Sequence, residues 1–286
     1  MKLYLTLLLT FWVFYSFGQL PTTSIHQFKY IETDEGIDLL SPRYLTGFNP
    51  EGYNNQPLFL DRDNILISSN ASENEFTDIV QLNLRKDYYQ YLTLTKGISE
   101  YSPTPMPDGK HFSVIRQEGD AQTLWAYPFD GKNAGYPLLD IEDVGYHIWL
   151  NEERLALFRV TDTVSFSLAY IENKKVVIKL NDIGRCFKLD QEGNLLFVQK
   201  VTSDFWYLKK YNLSDDKITV IAEIDVEDFE VLPSGSFIKA SGNLLYRLSA
   251  KDDNWKLVAD LSDLGLNNIT RIAVNGNKLL LVSESN

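Results

Sequence analysis

One cysteine, Cys186, stands in the whole chain, so no intramolecular disulfide can form and no thiol pair can ligate zinc. Beside Phe187, at the start of an apolar run, it reads as a small buried hydrophobe rather than a reactive thiol. Histidine is nearly as scarce: only His26, His111 and His147 are available for acid–base or metal chemistry. No Lys/Arg run of useful length occurs, and 39 acidic residues against 27 basic ones give a formal charge of −12. A surface of that sign repels phosphate backbones, so nucleic acid is not expected as a partner. There is no G-x-S-x-G elbow and no D-x-D-x-D-G calcium loop. From Thr22 onward no segment sustains a 3.6-residue apolar rhythm between caps; the nearest, Leu261-Ser262-Asp263-Leu264, is a single turn.

The one long apolar run is at the N-terminus. After Met1 and Lys2 it extends from Leu3 to Phe17, broken only by Thr6, Thr10 and Ser16, and it ends in Ser16-Phe17-Gly18 before Gln19. A basic residue, an apolar core and small residues at −3 and −1 describe a secretion signal over residues 1–18. The run is shorter than the ~20 residues a membrane span needs, so no transmembrane anchor is expected in the mature chain. The leader has no cysteine for lipid attachment. An exported protein, periplasmic or extracellular, follows as the expectation, with residues 19–286 as a single domain.

Aromatics are abundant, at 13% of the chain, and such rings suit half-buried pleated surfaces. Short apolar or alternating runs bounded by Gly, Asn, Asp and Pro fill the sequence, which is the strand signature. One element recurs: a strand, a tight polar turn, then a more apolar strand. It starts at Gln56 (QPLFLDRDNILISS), Thr104 (TPMPDGKHFSVIR), His147 (HIWLNEERLALFRV), Phe187 (FKLDQEGNLLFVQK), Phe229 (FEVLPSGSFIKA) and Arg271 (RIAVNGNKLLLVS). The turn centres Asp63, Asp108, Glu152, Glu192, Ser234 and Gly276 are 45, 44, 40, 42 and 42 residues apart. Two more strands follow each of the first five turns, for example Asp78 to Leu84 with Tyr89 to Thr95. Four strands at a period near forty is a propeller blade.

The sixth turn has only two strands before the chain stops, while two unpaired segments, Ile25 to Ile31 and Ile37 to Leu45, wait at the start. Joining them predicts an all-β, six-bladed propeller with four strands per blade, the last blade closed by N- and C-terminal strands, which hides the edges of an open array. Asp108-Gly109, Glu192-Gly193, Ser234-Gly235 and Asn275-Gly276 then read as two-residue hairpin turns using the positive φ of glycine.

The segment Tyr101 to Gly131, YSPTPMPDGKHFSVIRQEGDAQTLWAYPFDG, resembles the repeat of the TolB-like propeller family, and Asn54 to Gly97 looks like the same unit. Later blades keep the period but lose the Pro-Asp-Gly-Lys wording. Chains of this kind are typical of bacterial envelope proteins, often of the Bacteroidetes type. The resemblance implies a six-bladed propeller, export, and a scaffold for binding proteins or small ligands; it transfers no catalytic residue.

Propellers hold ligands at the ends of the central channel, where innermost strands begin and loops converge. The residues at those positions are Tyr53, Asn55, Gln56, Glu100, Tyr101, Tyr146, His147, Arg185 and Arg271, with Asp228 and Thr270 beside them. That mixture suits a small polar ligand or an envelope protein partner, with Trp149 as a further aromatic contributor; alternatively the groups satisfy one another and a file of waters. The competing expectation is an enzyme acting on a sugar, lactone or peptide-like substrate. Glu100 and His147 would be its acid–base pair, with Arg185 or Arg271 orienting an anion, and the two must converge. No cofactor is expected: calcium would find Asn55, Glu100 and Asp228, but Arg185 would repel it. Glu223, Asp225 and Glu227 fall on one face of an extended strand, read as the solvated outer edge of a blade. Arg116 is expected in a salt bridge, with Glu118 or across blades.

Overall fold

Runs such as Leu195–Val198 and Leu279–Val282 are apolar at every position, so a sheet containing them must be covered on both faces. The computed structural model, which describes residues 20–33, 36–71, 76–131 and 134–284, shows how this is done; the leader expected over residues 1–18 lies outside the described residues. Among the described residues, twenty-four strands form six four-stranded antiparallel sheets arranged as a six-bladed propeller. β1 (Thr23–Glu32) and β2 (Ile37–Tyr44) come first in the chain and belong to the last blade. Blade one is β3 (Asn54–Phe59), β4 (Asn64–Ser69), β5 (Asp78–Asn83) and β6 (Tyr88–Tyr91). Blade two is β7 (Ser99–Pro105), β8 (His111–Glu118), β9 (Ala121–Pro128) and β10 (Tyr136–Pro137). Blade three comprises β11 (Val144–Trp149), β12 (Arg154–Arg159), β13 (Ser165–Tyr170) and β14 (Lys175–Asn181). Blade four comprises β15 (Ile183–Leu189), β16 (Leu195–Lys200), β17 (Trp206–Asn212) and β18 (Lys217–Ile224). Blade five is β19 (Phe229–Val231), β20 (Phe237–Ser241), β21 (Leu244–Leu248) and β22 (Lys256–Asp260). A 3₁₀ turn at Ser262–Leu264 leads to β23 (Asn267–Asn275) and β24 (Lys278–Glu284).

The sixth sheet has the order β2-β1-β24-β23, so the two ends of the chain share one blade. β1 pairs with β24 from Thr23↔Glu284 to Lys29↔Lys278, and Tyr30 donates its phenol hydrogen to the Gly276 carbonyl at 2.8 Å.

The core is divided among the blade interfaces. Six apolar clusters each join two neighbouring blades: Leu66, Ile79, Phe112 and Val114 between one and two, for instance, and Phe166, Phe187 and Phe197 between three and four. Period-two geometry allots alternate residues of a middle strand to alternate interfaces. Leu279 and Leu281 pack toward blade five, and Leu280 and Val282 toward blade one. Each such side chain contributes about 1.5–3 kcal/mol when fully buried.

The hairpins differ from the expected two-residue form except in blade six, where Asn275 pairs with Lys278. Elsewhere the loops are longer, and in blades one to four an aspartate or asparagine closes them: Asp61, Asp108, Asn151 and Asp190 each accept backbone N–H bonds through Oδ1. These are Asx turns, and Gly109, Gly193 and Gly235 still supply the positive φ. Outermost strands are the least accurately foreseen, since Tyr136–Pro137 rather than Leu138-Leu139 forms the fourth strand of blade two.

Candidate functional site at the channel mouth

Innermost strands that run straight would alternate their side chains between the two neighbouring interfaces. Here β3, β7, β11, β15 and β23 each contain a register shift, and a bulge re-aims the side chains around it. In blades one and two the shift coincides with a pre-proline residue at positive φ, Gln56 (54°) before Pro57 and Ser102 (53°) before Pro103. Proline crowds the preceding residue out of the right-handed helical region, and the strain is held by a bond from Ser102 N–H to Gln56 Oε1, 3.0 Å. Gln56 and Ser102 therefore tie adjacent blades together at the channel wall.

These bulges frame a cavity of about 260 Å³ whose wall includes Gln56, Ser102, Tyr146, Arg185, Asp228 and Arg271. The lining charges are Arg185, Lys188 and Arg271 against Asp228 and Glu230. Two of the cations are matched. Lys188 Nζ lies 2.5 Å from Glu230 Oε2, and Arg271 Nη1 lies 3.2 Å from Asp228 Oδ2, whose other oxygen accepts Ile272 N–H at 2.9 Å. Burial is the largest influence on Arg271 and opposes its charge, but Asp228 acting together with Cys186, Tyr53 and Tyr146 outweighs it and holds the guanidinium more firmly protonated than usual. Burial likewise opposes charge on Lys188, and Glu230 together with Cys186, Tyr146 and Asp228 outweighs it.

Arg185 is the surplus cation. Its Nε lies 3.5 Å from Glu227 Oε2, but the other oxygen of Glu227 is bound by Lys200. The like charge of Arg271, followed by burial, pushes the Arg185 pKa down, while its side chain remains 52% exposed. Two guanidiniums thus face one opening with one carboxylate fully committed between them, which is the electrostatics of an anion site. Tyr53 and Tyr146 complete the surroundings as neutral phenols, both pushed up to about 12 by burial.

Several expected site residues occupy other places. His147 is fully buried between blades two and three, where its Nε2 lies 2.6 Å from Ser113 Oγ; Trp149 donates to the same oxygen at 2.9 Å. Burial depresses the His147 pKa to about 3. Glu100 is fully buried on the opposite face of blade two, accepting hydrogen bonds from Thr93 (3.1 Å) and Tyr127 (3.2 Å). Burial, with help from Asp78, raises its pKa to about 7. The register confirms the divergence: Glu100 pairs with Arg116, whose neighbours Val114 and Phe112 face blade one, whereas Ser113 and Ile115 face blade three. Glu100 and His147 do not converge. Trp149 is buried too. Tyr101 packs edge-on against Tyr53 at 6.3 Å, and Asn55 accepts from Gln56 N–H at 2.7 Å.

Of the three acids expected on a solvated blade edge, Glu223 is exposed on the outermost strand of blade four and Asp225 is exposed just beyond it, whereas Glu227 is half-buried in ion pairs. After β18 the chain crosses the mouth: Asp225 pairs with Lys239, Glu227 with Lys200 and Arg185, and Asp228 and Glu230 enter the channel. Lys188, Glu227 and Glu230 went unforeseen as site residues, although Asp228 and Glu230 stand two apart, as same-face residues of a strand must. Cys186 is buried with a free thiol, pushed up to about 12. Arg116 lies 3.5 Å from Glu118 and stacks over Trp125. Among the described residues no three His, Cys, Asp or Glu side chains converge to hold a metal ion, and no helix is long and apolar enough to cross a membrane.

No protein-family model matches the sequence, and no curated protein is significantly similar to it. Solved structures share the fold. A putative TolB from Agrobacterium tumefaciens superposes with a TM-score of 0.67 at 12% identity, over 93% of this chain and 99% of that one. TolB from Acinetobacter baumannii gives 0.62 at 11% identity, over 94% of this chain, which spans 65% of that protein. An oligogalacturonate lyase in complex with manganese gives 0.52 at 9% identity, over 93% and 98%. The chain thus has a six-bladed propeller fold, which it shares with TolB and other propellers. The same scaffold carries proteins of different activities, so the site has to decide function.

Proposed function

We propose that the protein is an exported, non-catalytic binding propeller of the bacterial envelope, holding an anionic group of a protein partner or small polar ligand between Arg185 and Arg271. The observation that carries this reading is a channel with three cations against two carboxylates in a chain of net charge −12. A local field opposed to the overall charge directs an anion to one place. Loops on the end of the propeller where innermost strands begin support a macromolecular partner. Leu94 and Leu264 lie in connections leading to innermost strands, and Val160, Val201 and Phe205 lie between second and third strands; all are exposed. An apolar rim around a charged centre is the composition of an interaction face. The enzyme reading rested on Glu100 and His147 meeting, and each is committed to a different blade interface.

The test uses the tagged protein without its leader, mixed with the detergent-solubilised envelope fraction of its source cells. The wild type is expected to retain a partner that Arg185→Glu loses and that rising salt releases. Retention of the same proteins by both, at all salt concentrations, sinks the anion-site reading.

A further inference from the structure

A second cavity, about 220 Å³, lies at the rim of the propeller between the outermost strand of blade six and the outer strands of blade one. Its lining is unlike that of the channel. Tyr44, Tyr88 and Tyr89 are all more than 40% exposed there, although phenol rings of this size ordinarily find cover. Phe48 stacks on Tyr89 with ring centroids 4.3 Å apart and planes 19° apart, and Tyr91 meets Tyr89 edge-on at 6.2 Å. Tyr89 is therefore braced in one position, with Tyr88 beside it in sequence and exposed. The cavity's lining charges are Arg43 and Asp87, which form an ion pair at 3.3 Å and cancel. Arg43 also donates to the Leu84 carbonyl at 2.6 Å, which fixes its guanidinium plane across the blade junction.

We infer that this groove is a binding site for a neutral saccharide, independent of the channel. Exposed rings around the braced Tyr89 offer flat apolar faces to the C–H face of a pyranose, and the Arg43–Asp87 ion pair offers donors and acceptors to adjacent hydroxyls. The cancelled charge fits an uncharged ligand, and a small concave site with few oriented polar groups fits a small molecule rather than a protein surface. The site bridges the blade that contains both chain ends to its neighbour, so occupancy also clamps the ring closed.

The test is calorimetric titration and saturation-transfer NMR with maltotriose, cellotriose, xylotriose and chitotriose. At least one trisaccharide is expected to bind and to raise the melting temperature. Tyr88→Ala, a substitution at an exposed ring that leaves the fold intact, should weaken that binding at least tenfold, while Arg185→Ala leaves it unchanged. Binding by none of the four, or binding that Arg185→Ala weakens and Tyr88→Ala does not, overturns the inference. The channel reading is judged separately, by the envelope partner.

Discussion

Replacing Glu100 by Gln should make the protein more stable at alkaline pH, although it removes a fully buried hydrogen-bonded side chain. Burial, together with the nearby Asp78, raises the Glu100 pKa from the ordinary 4.5 to about 7, against the opposing bonds from Thr93 and Tyr127. At about 1.4 kcal/mol per tenfold change in acidity, ionising it in the folded chain costs about 3 kcal/mol more than in the unfolded chain. Because the folded pKa is raised, this contribution is fully present below pH 4.5 and is lost as pH rises through about 7. Glutamine keeps the shape and acceptor oxygen of the neutral acid and cannot ionise. Urea denaturation should therefore find wild type and Glu100→Gln within about 1 kcal/mol at pH 4.5. At pH 8 the variant should lead by about 3 kcal/mol, or roughly 6 °C in melting temperature. His147 titrates in both proteins and cancels in the comparison. A variant less stable than wild type at pH 8, or one whose stability changes between pH 5 and 8 as the wild type's does, would refute the reasoning.

Other outcomes follow from the same interfaces. Ser113→Ala strands Nε1 of Trp149 and Nε2 of His147, and at about 1–3 kcal/mol per orphaned buried group should lower stability by at least 2 kcal/mol in urea. His147, depressed to about 3, contributes stability that is complete above pH 6.5 and lost as pH falls; His147→Gln should flatten the acid limb of the melting-temperature profile. Lys188→Met leaves Glu230 buried beside an apolar chain and should cost about 3 kcal/mol, whereas Lys188→Met with Glu230→Gln should recover most of it; equal losses in single and double variants would contradict the pairing. Mass spectrometry of the N-terminal peptide of the protein purified from its source cells should begin at Gln19, and a chain beginning at Met1 would contradict the proposed leader.

The ring and its closure were legible because they rest on patterns a sequence displays directly: two-residue alternation, turn residues at a period near forty, and unpaired strands at both ends. The site was legible only in part, because it depends on bulges. The shift between Val144 and Tyr146 changes which side of β11 each residue occupies, so Tyr146 lines the channel while its neighbour His147 enters the blade interface. A one-residue offset reverses every side chain in a strand, and no count of spacings reveals it. Gln56-Pro57 and Ser102-Pro103 did carry a hint, since a pre-proline position favours departures from regular pairing. Within the Glu223–Glu230 stretch Glu223 and Asp225 are exposed as expected and Glu227 misled, for a related reason: the even spacing looked like one strand, but β18 ends at Ile224 and the chain then turns toward the axis.

The pairing of β1 with β24 sets an order of events. During synthesis the first two strands emerge early but must wait, unpartnered on one side, until some 240 further residues have been made and the last hairpin arrives. Five sheets can assemble in sequence meanwhile, yet none of the interfaces flanking the sixth can be completed. A late truncation of a few residues should therefore harm folding more than a much larger loop deletion, and a helper that shields β1 during that wait would act on the slowest step.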